Sequence, residues 1–379
     1  MTLSCTGKNR IDLIMPVYNE EDTLPDVLSS LTRQADMDGR PLPDGALRVV
    51  AVDNASTDRS RSLLESWAGE AASPEVFILE EPEKGVVAAR ARGGRFSLEE
   101  LDGTLMVHTD SDSVFPPTFI ANVLSRFSAN NVDVVSYLGF EPTCFWRRVP
   151  DLARRQFEEV GSISFSRETL GALGFDERRA LFTSQIYADF ENVPTQCGLA
   201  MTKSHYRRVG GYVREFNRDG TERLGEARNL TFRLDRLGAR FGHVLSPPVD
   251  VNPRRYLFEA KDLWAGRSYT QGMTDLRGSV SEEHYRALDR SAGQLDYETA
   301  RRNFVQRYIV DPCIARPERI RQHPQYFGPS AQPLLERILD AHASRNAVFY
   351  SEVRPLSDEL VDAHCRTIID QVRKMRFLI

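Results

Sequence analysis

The sequence has few cysteines and no long apolar run. Its five cysteines, Cys5, Cys144, Cys197, Cys313 and Cys365, are scattered and odd in number. This pattern is unlike a disulfide framework or a zinc site and is typical of reduced intracellular thiols. The sequence contains no run of about 18 apolar residues, the length needed to cross a membrane. Its first ten residues lack the apolar core of a secretion signal. We therefore expect a cytoplasmic protein with no transmembrane segment.

The sequence also lacks the excess of positive charge that marks nucleic-acid-binding proteins. Its 49 Lys and Arg residues face 54 Asp and Glu residues, which gives a formal net charge of -5. This balance argues against a nucleic acid as partner. No G-x-G-x-x-G motif follows the first apolar run, so a conventional dinucleotide fold is a poor match. Arginine greatly outnumbers lysine, which we interpret as the bias of a GC-rich bacterial genome.

Apolar runs of strand length alternate with helical patterns through the first 140 residues. The runs at 11–17, 47–52, 76–79, 104–107 and 132–137 predict strands. Helices between them imply a mostly parallel sheet covered on both faces. Ligands of such sheets bind beyond the carboxyl ends of the strands. Polar clusters follow the first four runs, so this edge is the expected functional site.

Two carboxylates follow the fourth run, since Asp110 and Asp112 are separated only by Ser111. Alternate residues of an extended chain point to the same side, so the two charges would repel unless a cation lay nearby. Mg²⁺ and Mn²⁺ favour carboxylate oxygens and keep positions open for water and phosphate oxygens. The structural alternative is a polar turn in which Asp112 or Ser113 caps the helix that starts near Pro116.

Four motifs follow one another along the first part of the chain: Pro16-Val17-Tyr18-Asn19-Glu20, Asp53-Asn54-Ala55-Ser56-Thr57-Asp58, Lys84-Gly85 with Ala89-Arg90, and Asp110-Ser111-Asp112. In this order and spacing they resemble the family 2 glycosyltransferases of the GT-A fold. A weaker likeness continues through residues 196–201, 209–212 and 226–238. The resemblance implies an α/β fold in which a Rossmann-like, mostly parallel sheet is flanked by helices.

The resemblance covers roughly residues 10–255 and so implies a division of the chain. Residues 1–255 would form the catalytic domain, with the nucleotide sugar and metal at 10–140 and the acceptor at 141–255. Residues 256–379 lack a sheet pattern and predict a helical C-terminal region. The apolar stripe of its last helix would dock on its own domain, with a homodimer contact as the alternative.

The resemblance also implies which residues bind the donor. Pro16, Tyr18 and Glu20 would line the nucleoside pocket. Arg90 would face the diphosphate, because a guanidinium can bond two oxygens at once. For Lys84, a contact with the nucleotide and an ordinary solvated charge are both open. For Ser56 or Asp58, a structural role in a turn or a helix cap is an equal alternative. The full predicted donor site is Pro16, Tyr18, Glu20, Asp53, Asn54, Lys84, Arg90, Asp110 and Ser111.

The implied reaction moves a sugar from a UDP- or GDP-linked donor to an acceptor hydroxyl or similar nucleophile. Asp110 and Asp112 would hold Mn²⁺ or Mg²⁺, which offsets charge on the leaving group. Many relatives add a His ligand, but neither His205 nor His243 stands at the expected place, although His243 is close enough to stay an outside candidate. Arg254 and Arg255 follow the last predicted strand, where contact with the diphosphate and ordinary surface charge are equal alternatives; Asn252 or Asp250 would lie near the metal.

Inversion at the anomeric carbon needs a general base, which relatives usually supply from a Glu-Asp pair. Here Glu226 is followed by Ala227, and a methyl group accepts no proton. We expect Glu226 to be the base. Another carboxylate such as Asp219 or Glu222, or a reaction that needs no protein base, stays open.

The acceptor side is less well defined by the sequence. Trp146 and Gly198 are the predicted acceptor contacts, although most aromatic residues between 140 and 195 are expected to pack internally. The acceptor would be a small molecule, a glycan or a lipid-linked compound. Ala227 also suggests an alternative function, a catalytically silent sugar-nucleotide binder that partners another enzyme. A nucleotidyltransferase is disfavoured, since no Gly-rich loop with Arg and Lys follows the first strand.

Overall fold

The computed structural model describes most of the chain. The described residues are 10–70, 74–161, 165–181, 183–190, 197–220, 222–223, 225–264, 280–329, 332–333, 335–336 and 347–375.

Strands and helices alternate in the first part of the chain. The elements are β1 (Ile11–Val17), α1 (Leu24–Thr32), β2 (Leu47–Asp53), α2 (Ser60–Ala68), β3 (Glu75–Glu80), α3 (Val86–Glu100), β4 (Leu105–His108), β5 (Ser113–Val114), α4 (Phe119–Asn130) and β6 (Val134–Phe140). The five long runs predicted as strands correspond to β1, β2, β3, β4 and β6.

Helices dominate the rest of the chain, and two strands return to the sheet. The elements are α5 (Thr143–Arg148), α6 (Pro150–Glu159), α7 (Arg167–Ala172), α8 (Thr183–Phe190), β7 (Leu199–Thr202), α9 (Lys203–Arg208), α10 (Glu226–Arg236), β8 (Phe241–Val251), α11 (Arg254–Trp264), α12 (Glu282–Ser291), α13 (Tyr297–Val305), α14 (Asp311–Ala315), α15 (Glu318–Gln322) and α16 (Tyr350–Met375). A π-helical turn, Gln306–Val310, joins α13 to α14.

The strands form one mixed sheet in the order β3-β2-β1-β4-β7-β6-β8-β5. The β3-β2-β1-β4 and β6-β8 neighbours are parallel, whereas β7 runs antiparallel to both β4 and β6. Because β7 reverses direction between them, β4 and β6 point the same way. Their carboxyl ends therefore lie at the same edge of the sheet as those of β1 and β2.

A crevice opens where β1 and β4 part. β1 stays paired with β2 as far as Val17 opposite Asp53, but its pairing with β4 ends at Ile14 opposite His108. Pro16 lies beyond that point, where its missing N–H leaves no ladder bond to β4 unmade. The chain leaves β1 for β2 on one side and reaches β4 on the other, so this is the topological switch point of the sheet.

Close approach of α3 to the sheet helps to place the crevice wall. A Cβ added at Gly93 would lie 2.6 Å from Ile14 Cγ2 and 3.0 Å from Val52 Cγ2. Glycine therefore lets α3 rest directly on β1 and β2. Arg90, one turn earlier on the same helix, is carried to the end of β4 with only 1% of its surface exposed.

The predicted α/β fold, a mostly parallel sheet flanked by helices with a helical C-terminal region, is confirmed. β1 and β2 are buried along their whole length, which explains their continuous apolar sequence. The short β5 and the antiparallel β7 are the strands that the sequence pattern missed. The division of the chain at residue 255 stays a prediction. Within the described part of the chain, no helix combines the length and apolarity needed to cross a bilayer.

Candidate active site

The loops after β1 and β2 are joined to each other by hydrogen bonds. Asn19 N donates to Ser56 Oγ at 3.1 Å, and Thr57 N donates to Asn19 Oδ1 at 2.8 Å. Glu20 N donates to Ser60 Oγ at 2.8 Å. Asn19 and Ala55 both adopt positive φ, 53° and 59°, a conformation that costs a residue with a Cβ some stability. The two loops thus form one rigid wall of the crevice.

Most of the second motif has a structural role in this wall. Asn54 Nδ2 donates to the carbonyls of Glu81 and Glu83, and its Oδ1 accepts from Gly85 N at 2.9 Å. Asn54 therefore ties the start of α3 to the end of β2. Asp58 Oδ1 accepts from Ser60 N at 2.9 Å, and Asp58 Oδ2 accepts from Glu21 N of the β1 loop at 3.1 Å, so the turn-and-cap alternative describes Asp58 well.

Asp53 is 4% exposed at the end of β2. Its Oδ1 accepts from Ser56 N, three residues further along the loop, at 3.1 Å, and Arg61 Nη1 lies 3.9 Å from its Oδ2. Tyr18 is half-buried beside it in the β1 loop. Lys84 is exposed and donates to Tyr18 Oη at 3.1 Å, with its ammonium 4.9 Å from the ring centre. Tyr18 and Lys84 are thus brought together at the mouth of the crevice.

Arg90 connects the predicted metal carboxylates with the predicted base. It donates to the Thr109 carbonyl at 3.2 Å and to Asp110 Oδ1, and its Nε lies 3.7 Å from Glu226 Oε1. Burial opposes its charge, but Asp110, Tyr212 and Glu226 together raise the pKa of Arg90 above its ordinary value. Arg90 therefore stays a cation between two acidic side chains.

Arg254 joins the carboxylates of Glu20 and Asp112. Its Nη2 donates to Glu20 Oε1 and, at 3.2 Å, to Asp112 Oδ2. Arg254 begins α11, immediately after β8, so residues separated by more than 100 positions in sequence meet here. The sequence offered a diphosphate contact and a surface charge as equal alternatives for Arg254. The structure places this guanidinium inside the acidic cluster, 14% exposed.

Asp112 is harder to ionise than an isolated carboxylate, because it is buried beside the carboxylates of Glu20 and Asp110. Burial, with added repulsion from Glu20 and Asp110, raises the pKa of Asp112 to about 6, although Arg254 opposes the shift. Raised carboxylate pKa values of this kind show that the site favours an additional positive charge. Asp110 is 33% exposed and Asp112 19%, so their oxygens can be reached from the crevice.

The donor set fits a divalent cation that also takes ligands from solvent or substrate. Among the residues that the structure describes, no three His, Cys, Asp or Glu side chains form a closed metal centre. Two carboxylates are enough for Mg²⁺ or Mn²⁺ when phosphate oxygens and water complete the shell. Within the described part of the chain, Arg254 Nε is buried and has no hydrogen-bond acceptor, which is the behaviour expected of a guanidinium that can still bind an anionic ligand.

Glu226 opens α10 and is 7% exposed. Gly225, in a left-handed conformation with φ 105°, donates its N–H to Glu226 Oε2 at 3.2 Å. Ala227 is buried beside it. Of the other carboxylates that the sequence left open, Glu222 is engaged by Arg214 at 2.6 Å and Asp219 lies in an exposed turn. Glu226 is thus the one of these that the structure links directly to Arg90.

The two predicted acceptor contacts lie in packed surroundings. Trp146 is fully buried and packs against Phe145, Phe165 and Tyr256. This corrects the expectation of a sugar contact at Trp146, because its ring presents no open face. At Gly198 an added Cβ would lie 2.8 Å from Tyr137 Cβ, so packing alone accounts for glycine there, and its acceptor role stays a prediction.

The two histidines considered as metal ligands have other surroundings. The backbone N–H of His205 donates to Thr202 Oγ1 at 3.3 Å, which caps α9. The His205 ring nitrogen Nδ1 lies 2.9 Å from the same hydroxyl and 3.9 Å from Asp133 Oδ1. His243 packs edge-on against Tyr187.

Sequence reasoning missed Glu141, which directly follows β6 at the edge where the other polar clusters lie. Burial raises the pKa of Glu141 to about 7, while hydrogen bonds from its own backbone and from Tyr256 oppose the shift. Tyr256 is two residues beyond Arg254. The signal was available, because a carboxylate after a predicted strand fits the same rule that singled out Asp110.

Comparison with known proteins identifies a sequence family over part of the chain. Residues 12–167 match the family model described as Glycosyl transferase family 2. An undecaprenyl-phosphate 4-deoxy-4-formamido-L-arabinose transferase of Pseudomonas aeruginosa is 33% identical over 141 residues, which cover 37% of this chain and 39% of the relative. A protein of the same name from Shewanella sediminis is 31% identical over 116 residues, 31% of this chain and 32% of the relative. The chain spans less than half the length of these curated relatives.

Solved structures of low sequence identity align with nearly the whole chain. The mannosyltransferase PcManGT from Pyrobaculum calidifontis, in complex with GDP-Man and Mn²⁺, covers 96% of this chain and 88% of its own, with 17% identity and a TM-score of 0.46. Residues 1–349 of TarS from S. aureus cover 97% of this chain and 90% of that chain, with 17% identity and a TM-score of 0.45.

Proposed function

Residues 12–167 belong to glycosyl transferase family 2, and on this basis we propose that the chain transfers a sugar from a nucleotide diphosphate sugar to a nucleophilic acceptor with the help of a divalent metal. One observation carries the proposal. Glu20, Asp110 and Asp112 converge with Arg90 and Arg254 at the switch point between β1 and β4. Such a mixture of carboxylates and guanidinium groups suits a diphosphate and its cation.

The nucleoside would lie along the wall formed by the β1 and β2 loops. Asp53 offers a buried carboxylate to ribose hydroxyls or to a base N–H, and Tyr18 offers an aromatic face. Lys84, whose ammonium lies 4.9 Å from the centre of the Tyr18 ring, would meet the phosphates from the solvent side. Glu20 would hold Arg254 in place rather than contact the nucleotide, since the two side chains already form an ion pair.

Asp110 and Asp112 would hold the metal, and a UDP- or GDP-linked donor would complete its ligand shell. Mn²⁺ or Mg²⁺ bound there would offset the charge that develops on the leaving diphosphate. The Arg254 guanidinium would donate hydrogen bonds to the diphosphate oxygens. Arg90 would orient the Asp110 carboxylate through its hydrogen bond to Oδ1.

Glu226 is the proposed base, which would take the proton of an acceptor hydroxyl and favour inversion at the anomeric carbon. A phosphate acceptor is already ionised and needs no base, and Ala227 is compatible with that alternative. The names of the curated relatives include undecaprenyl phosphate, so a lipid-linked phosphate belongs among the acceptors to be tested. A cytoplasmic location stays a prediction, as does the choice between a monomer and a homodimer.

The function is tested by titrating the protein with UDP- and GDP-sugars in Mn²⁺, Mg²⁺ or chelator, by calorimetry, and by measuring release of nucleoside diphosphate. We expect one donor to bind only with metal and to release diphosphate faster when hydroxyl acceptors or a short-chain polyprenyl phosphate are added. Tight binding without release in every acceptor mixture would favour the silent binder. Failure of all donors to bind would overturn the proposal.

Two substitutions assign the roles within the site. Asp112→Asn should abolish metal-dependent donor binding while the fold is retained, and Asp151→Asn, at an exposed aspartate of α6, is the matched control. Glu226→Gln should lower kcat by roughly 10²-fold, the usual scale for positioned proton transfer, and leave donor affinity intact. Normal turnover of a hydroxyl acceptor by this variant would return Glu226 to a structural role.

A further inference from the structure

Helix α10, which begins with Glu226, carries charges at both ends that oppose its own dipole. Arg228 lies in the first turn and Asp235 in the last turn of Glu226–Arg236. A cation near a helix N-terminus and an anion near its C-terminus are each unfavourable. Glu226 in the first turn and Arg233 and Arg236 in the last turn have the favourable sign. Arg228 and Asp235 are instead each compensated by partners from the C-terminal helical region.

The first contact is a buried cluster around Asp311. Arg228 Nε lies 3.1 Å from Asp311 Oδ2, while Tyr350 Oη and Ser357 Oγ donate to Asp311 Oδ1 at 2.9 and 2.6 Å. Arg228 Nη1 also donates to Tyr350 Oη at 3.4 Å. The cluster therefore joins the first turn of α10 to α14 and to the start of α16.

The backbone before Asp311 is adapted to this contact. The π-helical turn Gln306–Val310 ends immediately before Asp311, and Pro312 follows. Proline cannot donate the hydrogen bond that would continue a regular helix, and a π-helical turn shifts the direction in which the next side chain points. Asp311 is thereby placed 6% exposed against Arg228.

The second contact holds the other end of α10. Asp235 is 1% exposed and receives Arg319 Nη1 at 2.5 Å, together with Arg316. Arg316 Nη2 also donates to the Ala239 carbonyl at 2.7 Å, just beyond the helix. Between the two ends, Glu215 accepts from Asn229 of α10 and, at 2.5 Å, from Ser351 of α16.

Glu226 and Arg228 occupy opposite sides of one turn. Successive residues of an α-helix are about 100° apart, so side chains two positions apart point in nearly opposite directions. One side of this turn presents Glu226 to Arg90, and the other side presents Arg228 to Asp311. A shift of the Arg228 side would therefore move the Glu226 carboxylate relative to the donor site.

We propose that the C-terminal helical region positions the Glu226 turn through the Arg228-Asp311-Tyr350 cluster, which makes Asp311 and Tyr350 positioning residues for sugar transfer. The inference rests on the proposed function, because it assigns these residues to the same transfer step. It predicts that the cluster governs turnover and has little influence on donor binding, since the proposed donor contacts lie on α3, on α11 and on the loops after β1, β2 and β4 rather than on α10.

The test is Tyr350→Phe in the full chain. This change removes the hydroxyl that donates to Asp311 and keeps the ring that packs on Phe232 and Arg228. Tyr326→Phe is the matched control, because Tyr326 is a buried tyrosine of the same region whose hydroxyl donates to another aspartate, Asp189. Both variants lose one tyrosine-aspartate hydrogen bond, but only Tyr350 contacts the α10 cluster.

We expect Tyr350→Phe to lower kcat by about 10- to 100-fold, the scale of small misplacements of reacting groups, with donor KM within twofold of wild type. Tyr326→Phe should leave both constants near wild type even if its Tm falls as far. Equal kcat losses in the two variants would reduce the effect to general destabilisation and overturn the inference, as would an unchanged kcat in Tyr350→Phe.

Hydrogen exchange gives a readout that needs no substrate. Amides of residues 226–236 should exchange faster in Tyr350→Phe than in wild type or Tyr326→Phe, at a temperature well below each Tm. Unchanged exchange there would contradict the inference. If the wild-type protein transferred no sugar from any donor while Tyr350→Phe still showed the faster exchange, the proposed function would be refuted and the structural coupling would remain.

Discussion

At the scale of single residues, Arg254 joins two carboxylates of the site that lie far apart in the sequence. It contacts Glu20 and Asp112, and its buried Nε has no hydrogen-bond partner in the described structure. The same positive charge that stabilises these carboxylates must also weaken their attraction for a metal. Arg254 therefore has two effects of opposite sign, one on the cation and one on the diphosphate.

Substitution of Arg254 separates these effects. Arg254→Gln should bind Mn²⁺ about tenfold more tightly at pH 8, where the carboxylates are ionised, because one competing positive charge is gone. Nucleoside diphosphate should bind about tenfold more weakly, since loss of one charge-assisted hydrogen bond is worth about 1.5–3 kcal/mol at most. Calorimetric titration with Mn²⁺ alone and then with nucleotide measures both constants.

The neighbouring Arg255 supplies the control, because it is 38% exposed and pairs with Glu259 on its own helix. Arg255→Gln should change both affinities by less than threefold. Weaker Mn²⁺ binding in Arg254→Gln would show that Arg254 orders the metal carboxylates rather than competing with the metal.

Glu141 makes the stability depend on pH. Its pKa is raised from 4.5 to about 7 in the folded chain, so between these values the folded state binds a proton that the unfolded state lacks. The free energy of unfolding must then fall as pH rises through this window, by up to about 3 kcal/mol. Glu141→Gln should be more stable than wild type at pH 8 and similar to it at pH 4.5.

Urea unfolding midpoints at the two pH values measure this difference. Glu99→Gln, at an exposed glutamate of α3, should shift neither midpoint appreciably. A Glu141→Gln variant that is destabilised equally at both pH values would mean that its carboxylate is needed as a hydrogen-bond acceptor in either charge state.

At the scale of elements, the site depends on how closely α3 approaches the sheet. Gly93→Ala should lower the free energy of unfolding by about 1–3 kcal/mol, because the new methyl would overlap Ile14 and Val52. Both neighbours are β-branched and have few alternative rotamers. Chemical denaturation of the variant and of wild type gives the difference.

Gly171 provides the comparison within another helix, since a Cβ added there would have no neighbour within 4 Å among the residues that the structure describes. Gly171→Ala in α7 should be neutral or stabilising by up to about 1 kcal/mol, through helix propensity alone. If Gly93→Ala behaved like Gly171→Ala, α3 could move away from β1 without loss, and its control of the Arg90 position would be weaker than the contacts indicate.

At the scale of the whole molecule, the sequence predicted the parts of the fold whose signal is local. β1, β2 and β4 were evident because strands buried on both faces read as continuous apolar runs. The polar residues after them identified the site edge, since parallel strands end together. β5, with two residues, and β7, with four, are too short to give a period of their own.

The missing parts are those decided by distant contacts. The position of Arg254 depends on where β8 ends. The local sequence pattern therefore could not distinguish a diphosphate contact from an ordinary surface charge. Trp146 beside two arginines suggested a surface contact, but packing against Phe165 and Tyr256 encloses it. The ion pairs at the two ends of α10 join residues more than 80 positions apart, such as Arg228 and Asp311. No sequence motif predicts them.

The position of β7 bears on how the chain can be divided for laboratory work. β7 lies between β4 and β6, yet its residues, Leu199–Thr202, come after the stretch that matches the family model. A fragment that stopped at residue 167 would retain β4 and β6 with a strand-wide gap between them. Unpaired backbone groups in the middle of an apolar sheet recruit strands from other molecules, so such a fragment would aggregate, and the unit of sequence similarity is smaller than the unit of folding.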